Sequence, residues 1–167
     1  MFMSIDDFAS AWKYESDSTA KVLRALTDKS LAQQVSPGHR TLGRIAWHLT
    51  TTIPEMLGQA GLSFTSLRHE ADLPTRAADI VSAYEKVSHE ALQLITTNWD
   101  NKALQSEDNM YGENWKKGFT LTCLISHQAH HRGQMTILMR QAGLAVPGIY
   151  GPSLEEWASM GAPAPVI

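Results

Sequence analysis

Cysteine is almost absent from this chain. Cys123 is the only one, so no internal disulfide can form, and a reducing cytosol suits the protein. Clustered positive charge is missing too. Lys and Arg number 14 against 17 Asp and Glu, a formal charge of −3. Sequence-independent nucleic-acid binding depends on a basic surface, so no nucleic-acid partner is expected. Long apolar runs are lacking. The longest charge-free helical stretch, Gly118 to His131, is too short and too polar to span a bilayer. Met1 to Asp7 show no basic region leading into an apolar run, so no secretory signal is expected. The chain reads as a soluble, cytoplasmic protein with no membrane partner. It also lacks Cys-x-x-Cys, a phosphate-cradling glycine loop and a nucleophile elbow. No segment shows the period-two alternation of a strand, and no repeat or low-complexity tract stands out.

What is present is the balance of an ordinary globular protein: 43% hydrophobic and 19% charged residues over 167 positions. That length is read as one domain, residues 1–167, with a single substantial core. Four segments carry 3.6-residue periodicity. The first runs from about Ile5 to Leu26 along Phe8, Trp12, Val22 and Leu26, with Ser4 and Asp7 at capping-box spacing. A polar stretch from Thr27 to Arg40 follows, with a turn at Ser36-Pro37-Gly38. The second segment opens near Thr41 and places Leu42, Ile45, Leu49, Ile53 and Met56 on one face. Pro54 within it removes a backbone hydrogen bond, so a kink or an early stop is expected there. Gly58 and Gly61 close the element, and a connector through His69 and Asp72 leads on. The third segment spans about Thr75 to Thr97. A polar connection of some twenty residues to Gly118 then holds Tyr111-Gly112 and Trp115, suggesting turns or a small hairpin; a loop that long is often functional. The fourth, Phe119 to Gln141, ends at Gly143, a natural C-cap, and a short helix is expected at Ser153 to Met160. Four amphipathic helices read as an all-α four-helix bundle.

The chemistry sits in the run His127-Gln-Ala-His130-His131-Arg132-Gly-Gln134. Side chains four apart in a helix stand one above the other, so His127 and His131 share a stripe with Leu124, Met135 and Leu138. His48 takes a core position in the second segment. Buried imidazoles need partners, and one divalent metal ion would satisfy all three. Three protein ligands with one position left open is the usual arrangement of a catalytic zinc site. The bland alternative is three separate core histidines bonded to carbonyls or carboxylates. His130 points about 100° away from the stripe and is read as partly exposed. Arg132 is read as solvent-exposed, the usual state of a helical Arg. Gln134, seven after His127, suits a partner behind the ligands. Cys123, one turn before His127, is a small buried residue or a fourth ligand, the former preferred. Glu55, seven after His48, is a further carboxylate ligand if Pro54 does not turn it away, or a solvated surface carboxylate, the latter preferred. Position 128 is Gln, not the water-activating Glu of His-Glu-x-x-His enzymes, which excludes a metalloprotease of that kind.

These segments resemble the DinB/YfiT-like family. The likeness lies in Ala46-Trp47-His48-Leu49 on the second helix and His127 to Gln134 on the fourth. The tail from Arg140-Gln141 through Pro147-Gly148, Tyr150 and Pro152 adds to it. The resemblance implies an up-down-down-up four-helix bundle, a divalent metal on His48, His127 and His131, and in many members a homodimer. Relatives include metal-dependent thiol transferases and mycothiol-dependent isomerases. The resemblance therefore implies a metal-dependent transferase or isomerase using a low-molecular-weight thiol, with Zn or Ni as the ion. A metal-assisted hydrolase and a non-catalytic metal-binding stress or interaction module stand beside it as alternatives. No catalytic residue is assigned from the sequence.

Overall fold

The computed structural model describes residues 1–68 and 71–166; His69 lies outside the described residues. Among these there are four α-helices, α1 Ile5–Arg24, α2 Leu42–Gln59, α3 Ala77–Asn98 and α4 Lys117–Gln141. Single 3₁₀ turns lie at Asp28–Ala32, Ala103–Gln105 and Ala158–Met160. The expected four-helix bundle is what forms. α1 packs on α3 and α4, and α2 on the same two, so the ring order is α1–α3–α2–α4. Sequence neighbours α1 and α2 are therefore diagonal, as are α3 and α4, and each pair needs a crossing connection.

The stripes anticipated from periodicity face inward. Phe8, Trp12, Val22 and Leu23 of α1 meet Leu42, Leu49, Ile53 and Leu57 of α2, all within one core with Ile80, Tyr84, Leu124 and Met135. Trp12 Nε1 donates to the Ser88 carbonyl at 3.0 Å, satisfying its polar atom inside the core and tying α1 to α3. Ser4 caps α1, its hydroxyl accepting from Asp7 N at 3.3 Å. The reciprocal capping box lies elsewhere, at Thr27 and Ser30 of the first 3₁₀ turn.

The early stop, one of the two outcomes expected at Pro54, does not occur. The helix continues through the proline to Gln59, because Ile53, Pro54, Met56 and Leu57 are all buried. Packing of the turn and a half that follows outweighs the ~3 kcal/mol that proline costs inside a helix. The tail's expected helix shrinks to the turn at Ala158–Met160.

The long connection before α4 is a hairpin, as its turn residues suggested: β1 Glu107–Met110 pairs antiparallel with β2 Glu113–Lys116. Lys117 Nζ anchors it, bonding Asp108 at 2.6 Å and the Ala60 carbonyl at 2.8 Å. No helix of the described residues is long and apolar enough to cross a membrane.

Candidate metal centre

α2 and α4 lie side by side, and each presents its histidines midway along. His48 Nε2 stands 3.2 Å from His127 Nε2, which stands 3.1 Å from His131 Nε2. The three side chains form a cluster whose ligand atoms lie within 4.8 Å of one another and could hold a metal ion. Their ring centroids are 4.3–5.0 Å apart, with the planes turned 68–87° from each other. The rings are thus edge-on around a common point rather than stacked.

A neutral imidazole nitrogen has room in the ring plane for one partner, either a proton it donates or a lone pair it offers. His127 Nε2 faces two other ring nitrogens. One ordinary hydrogen bond accounts for one of those contacts and not the other. His127 Nδ1 is buried and without a partner, so the ring gains nothing at its far side either. The two separations at His127, 3.1 and 3.2 Å, come close to those of shared coordination: metal–nitrogen bonds of about 2.0–2.1 Å at a tetrahedral angle put neighbouring ligand nitrogens about 3.4 Å apart. The donor set therefore fits a divalent ion.

The far nitrogens of the other two rings are engaged. Gln134 Oε1 accepts from His131 Nδ1 at 2.8 Å, which fixes the tautomer that leaves Nε2 with its lone pair. The same amide donates to His130 Nε2 at 3.0 Å, and His130 itself is exposed. Thr52 Oγ1 lies 3.5 Å from His48 Nδ1.

Burial holds the imidazoles neutral. It pushes His48 and His127 down to about 4, helped by the other rings and by Arg40, with Arg44 also acting on His48. Burial likewise lowers His131, against the opposing hydrogen bond that it donates to Gln134. A histidine whose folded pKa lies below its unfolded value destabilises the fold as pH falls between the two. The metal-free protein is therefore expected to keep its full melting temperature above about pH 6.5 and to lose it progressively toward pH 4. Thermal melts in chelator across that range check this, and a flat profile contradicts it.

Three cavities open on the cluster, each touching a different part of it. One of about 850 Å³ reaches His48 past Arg40, Arg44 and Trp47, a cationic wall. One of about 400 Å³ reaches His131 between Ile45 and Ile137. The third, about 300 Å³, reaches His48 and His127 and is walled by Glu55, Met56, Tyr111, Trp115 and Cys123. Cys123 lines this cavity but lies outside the ligand cluster, and burial raises its thiol pKa. Glu55 is turned into the same cavity and accepts from the Tyr111 hydroxyl at 3.2 Å, so it is not a freely solvated carboxylate.

A profile of the DinB family matches residues 1–165. The chain belongs to the DinB family. This DinB-family chain is 45% identical over 165 residues to the uncharacterized protein YrdA of Bacillus subtilis (strain 168), covering 99% of each. It is similar, with a TM-score of 0.86 and 45% identity, to the crystal structure of a DinB-like protein from Bacillus cereus ATCC 10987. That match covers 90% of this chain and 100% of the other. The DinB-like protein YjoA of Bacillus subtilis shares the fold alone, with a TM-score of 0.61 at 12% identity over 86% of this chain and 96% of that one.

The DinB-family bundle also holds a buried polar network that the sequence reading missed. Arg132, expected in solvent, is only 2% exposed. Its Nη2 donates to Glu15 Oε2 at 2.6 Å, and its Nη1 to the Glu15 carbonyl at 3.1 Å and Thr19 Oγ1 at 3.0 Å. Tyr150 of the tail closes the group, donating to the Glu15 carboxylate at 2.8 Å. Beside it, Gln128 is fully buried. Its Nε2 donates to the Leu49 carbonyl at 2.9 Å, and its Oε1 accepts from Tyr84 at 3.1 Å and faces Thr19 Oγ1 at 3.4 Å. One amide on α4 thereby touches α1, α2 and α3, and its bond to Leu49 lies next to His48. A signal existed: Glu15 falls on the α1 stripe of Phe8, Trp12, Thr19 and Val22, where a lone acid implies a buried cation opposite.

Proposed function

We propose that His48, His127 and His131 hold one divalent ion, zinc or nickel, and that the protein is a transferase or isomerase acting with a low-molecular-weight thiol. The observation that carries the metal is His127 Nε2, which faces two other ring nitrogens at 3.1 and 3.2 Å where only one hydrogen bond is available. A divalent ion there supplies positive charge that favours the thiolate form of a coordinated thiol near neutral pH. The chain's own residues do the rest. The imidazoles stay neutral and turn their Nε2 atoms toward one another, Gln134 fixes His131, and the cavities give a small molecule access from more than one side.

Those openings favour a reactive site over a merely bracing one. A closed structural zinc site uses four protein ligands, and the cluster among the described residues contains three. Thiol chemistry is favoured over hydrolysis by family relationship; in addition, Gln128 is committed to the scaffold and offers no base for water.

The test is spectroscopic. Protein loaded with Co²⁺ is titrated with small thiols, and a sulfur-to-cobalt charge-transfer band is expected to grow and saturate. Turnover of an electrophile by the zinc form should then follow the same order of thiols. A cobalt spectrum indifferent to every thiol would remove the thiol and leave a metal protein of other function.

A further inference from the structure

Tyr111 occupies a backbone position that its side chain makes costly. The β1–β2 loop has two residues, Tyr111 and Gly112, with φ of +56° and +89°. Both lie in the left-handed region, as a type I′ hairpin turn requires, and Asn or Asp followed by Gly is the preferred sequence there. A bulky residue with positive φ is a true outlier. Burial does not explain it, because Tyr111 is 54% exposed. An exposed ring contributes little to stability, so some other use must hold it in that turn.

Its surroundings show the use. The Tyr111 ring packs edge-on against Trp115 at 5.8 Å and 62°. Its hydroxyl donates to Glu55 at 3.2 Å; partial desolvation at the cavity, with the Glu55 charge and hydrogen bond, pushes its pKa up to about 12, so the proton stays. These three side chains and Met56 form one wall of the cavity of about 300 Å³ whose floor is His48 and His127. Ring faces and a thioether make that wall apolar, and the carboxylate makes one spot on it a strong hydrogen-bond acceptor.

We propose that Tyr111 is a specificity-determining residue that contacts substrate, and that the group it receives is flat and apolar and carries a hydrogen-bond donor directed at Glu55. The proposal rests on the triad being the reactive centre and names the substrate group that lies beside it. Tyr111 and Trp115 border the flat group from one side, Glu55 orients it, and the strained turn presents the ring from the hairpin.

Phenol and anisole are the probes: they share a ring, and only phenol has a donor. Their binding to zinc-loaded protein is measured by NMR titration. Phenol is expected to bind about tenfold more tightly than anisole, as a charge-assisted hydrogen bond implies. Glu55→Leu should erase that advantage and leave anisole unchanged. Tyr111→Asn, which places the turn's favoured residue, should weaken both probes severalfold while the melting temperature stays level or rises. Equal affinity of the two probes, binding of neither, or wild-type binding by Tyr111→Asn overturns the proposal. So does a clear fall in its melting temperature, which would make the ring a structural member. The cobalt–thiol titration reads the triad and this comparison reads the wall, so failure of one is distinct from failure of the other.

Discussion

Arg132→Ala is expected to lower the melting temperature by roughly 10 °C, the largest stability loss anticipated here. Deleting one partner of a buried ion pair costs about 3–5 kcal/mol, because the other charge is left without compensation. In a domain of this size each kcal/mol moves the midpoint by about 2–4 °C. The geometry places the pair at the severe end. The side chains of Arg132 and Glu15 are 2% and 11% exposed, and the guanidinium makes four contacts: two with Glu15 and one each with Thr19 and Tyr150. Glu15→Leu combined with Arg132→Met should be far milder than Arg132→Ala, since no charge is then left buried. Scanning calorimetry on the two variants decides it. A shift of only a degree or two for Arg132→Ala would mean that the pair behaves like an exposed one, with little net contribution.

His127→Ala is expected to abolish stoichiometric metal binding. His127 is the middle member of the cluster, the one whose Nε2 faces both of the others. Loss of residues that merely orient a ligand costs 10–100-fold in metal affinity, so loss of this ligand should exceed about 100-fold. Elemental analysis of purified wild type should give one ion per chain, and the variant almost none. A second reading comes from linkage: added zinc should raise the melting temperature of the wild type and leave that of His127→Ala unmoved. His130→Ala is the control. That ring is exposed, bonds Gln134 and packs edge-on against His131 without joining the ligand cluster, so metal content should survive. Equal metal in wild type and His127→Ala would remove the three-histidine centre altogether.

The histidine cluster was legible because helical spacing is a local property. His127 and His131 stand four positions apart, and that alone puts them on one face. His48 joined them because it interrupts an apolar stripe at a position a leucine would otherwise fill. The bundle was legible for the same reason, each stripe stating which face is inward. What escaped the reading is non-local. Arg132 looked ordinary because a helical arginine is normally solvated, and its partner lies 117 positions away on α1. Pro54 left a kink and an early stop both open because its penalty is local, while the burial that carries the helix on to Gln59 comes from other helices. Glu55 was taken for a surface carboxylate because its partner, Tyr111, belongs to a hairpin whose placement over α2 cannot be read from spacing.

Gln128 carries one more consequence. Metalloproteases of the His-Glu-x-x-His kind differ at this position by a single amide-to-acid exchange, which looks like a short evolutionary step. In this bundle the step is closed. A carboxylate at 128 has no N–H to give the Leu49 carbonyl, and its charge would stand in the dry centre where four helices meet. The residue that follows His127 is thus taken up by alignment of the helices, and any side-chain chemistry beyond the histidines falls to the walls of the surrounding clefts.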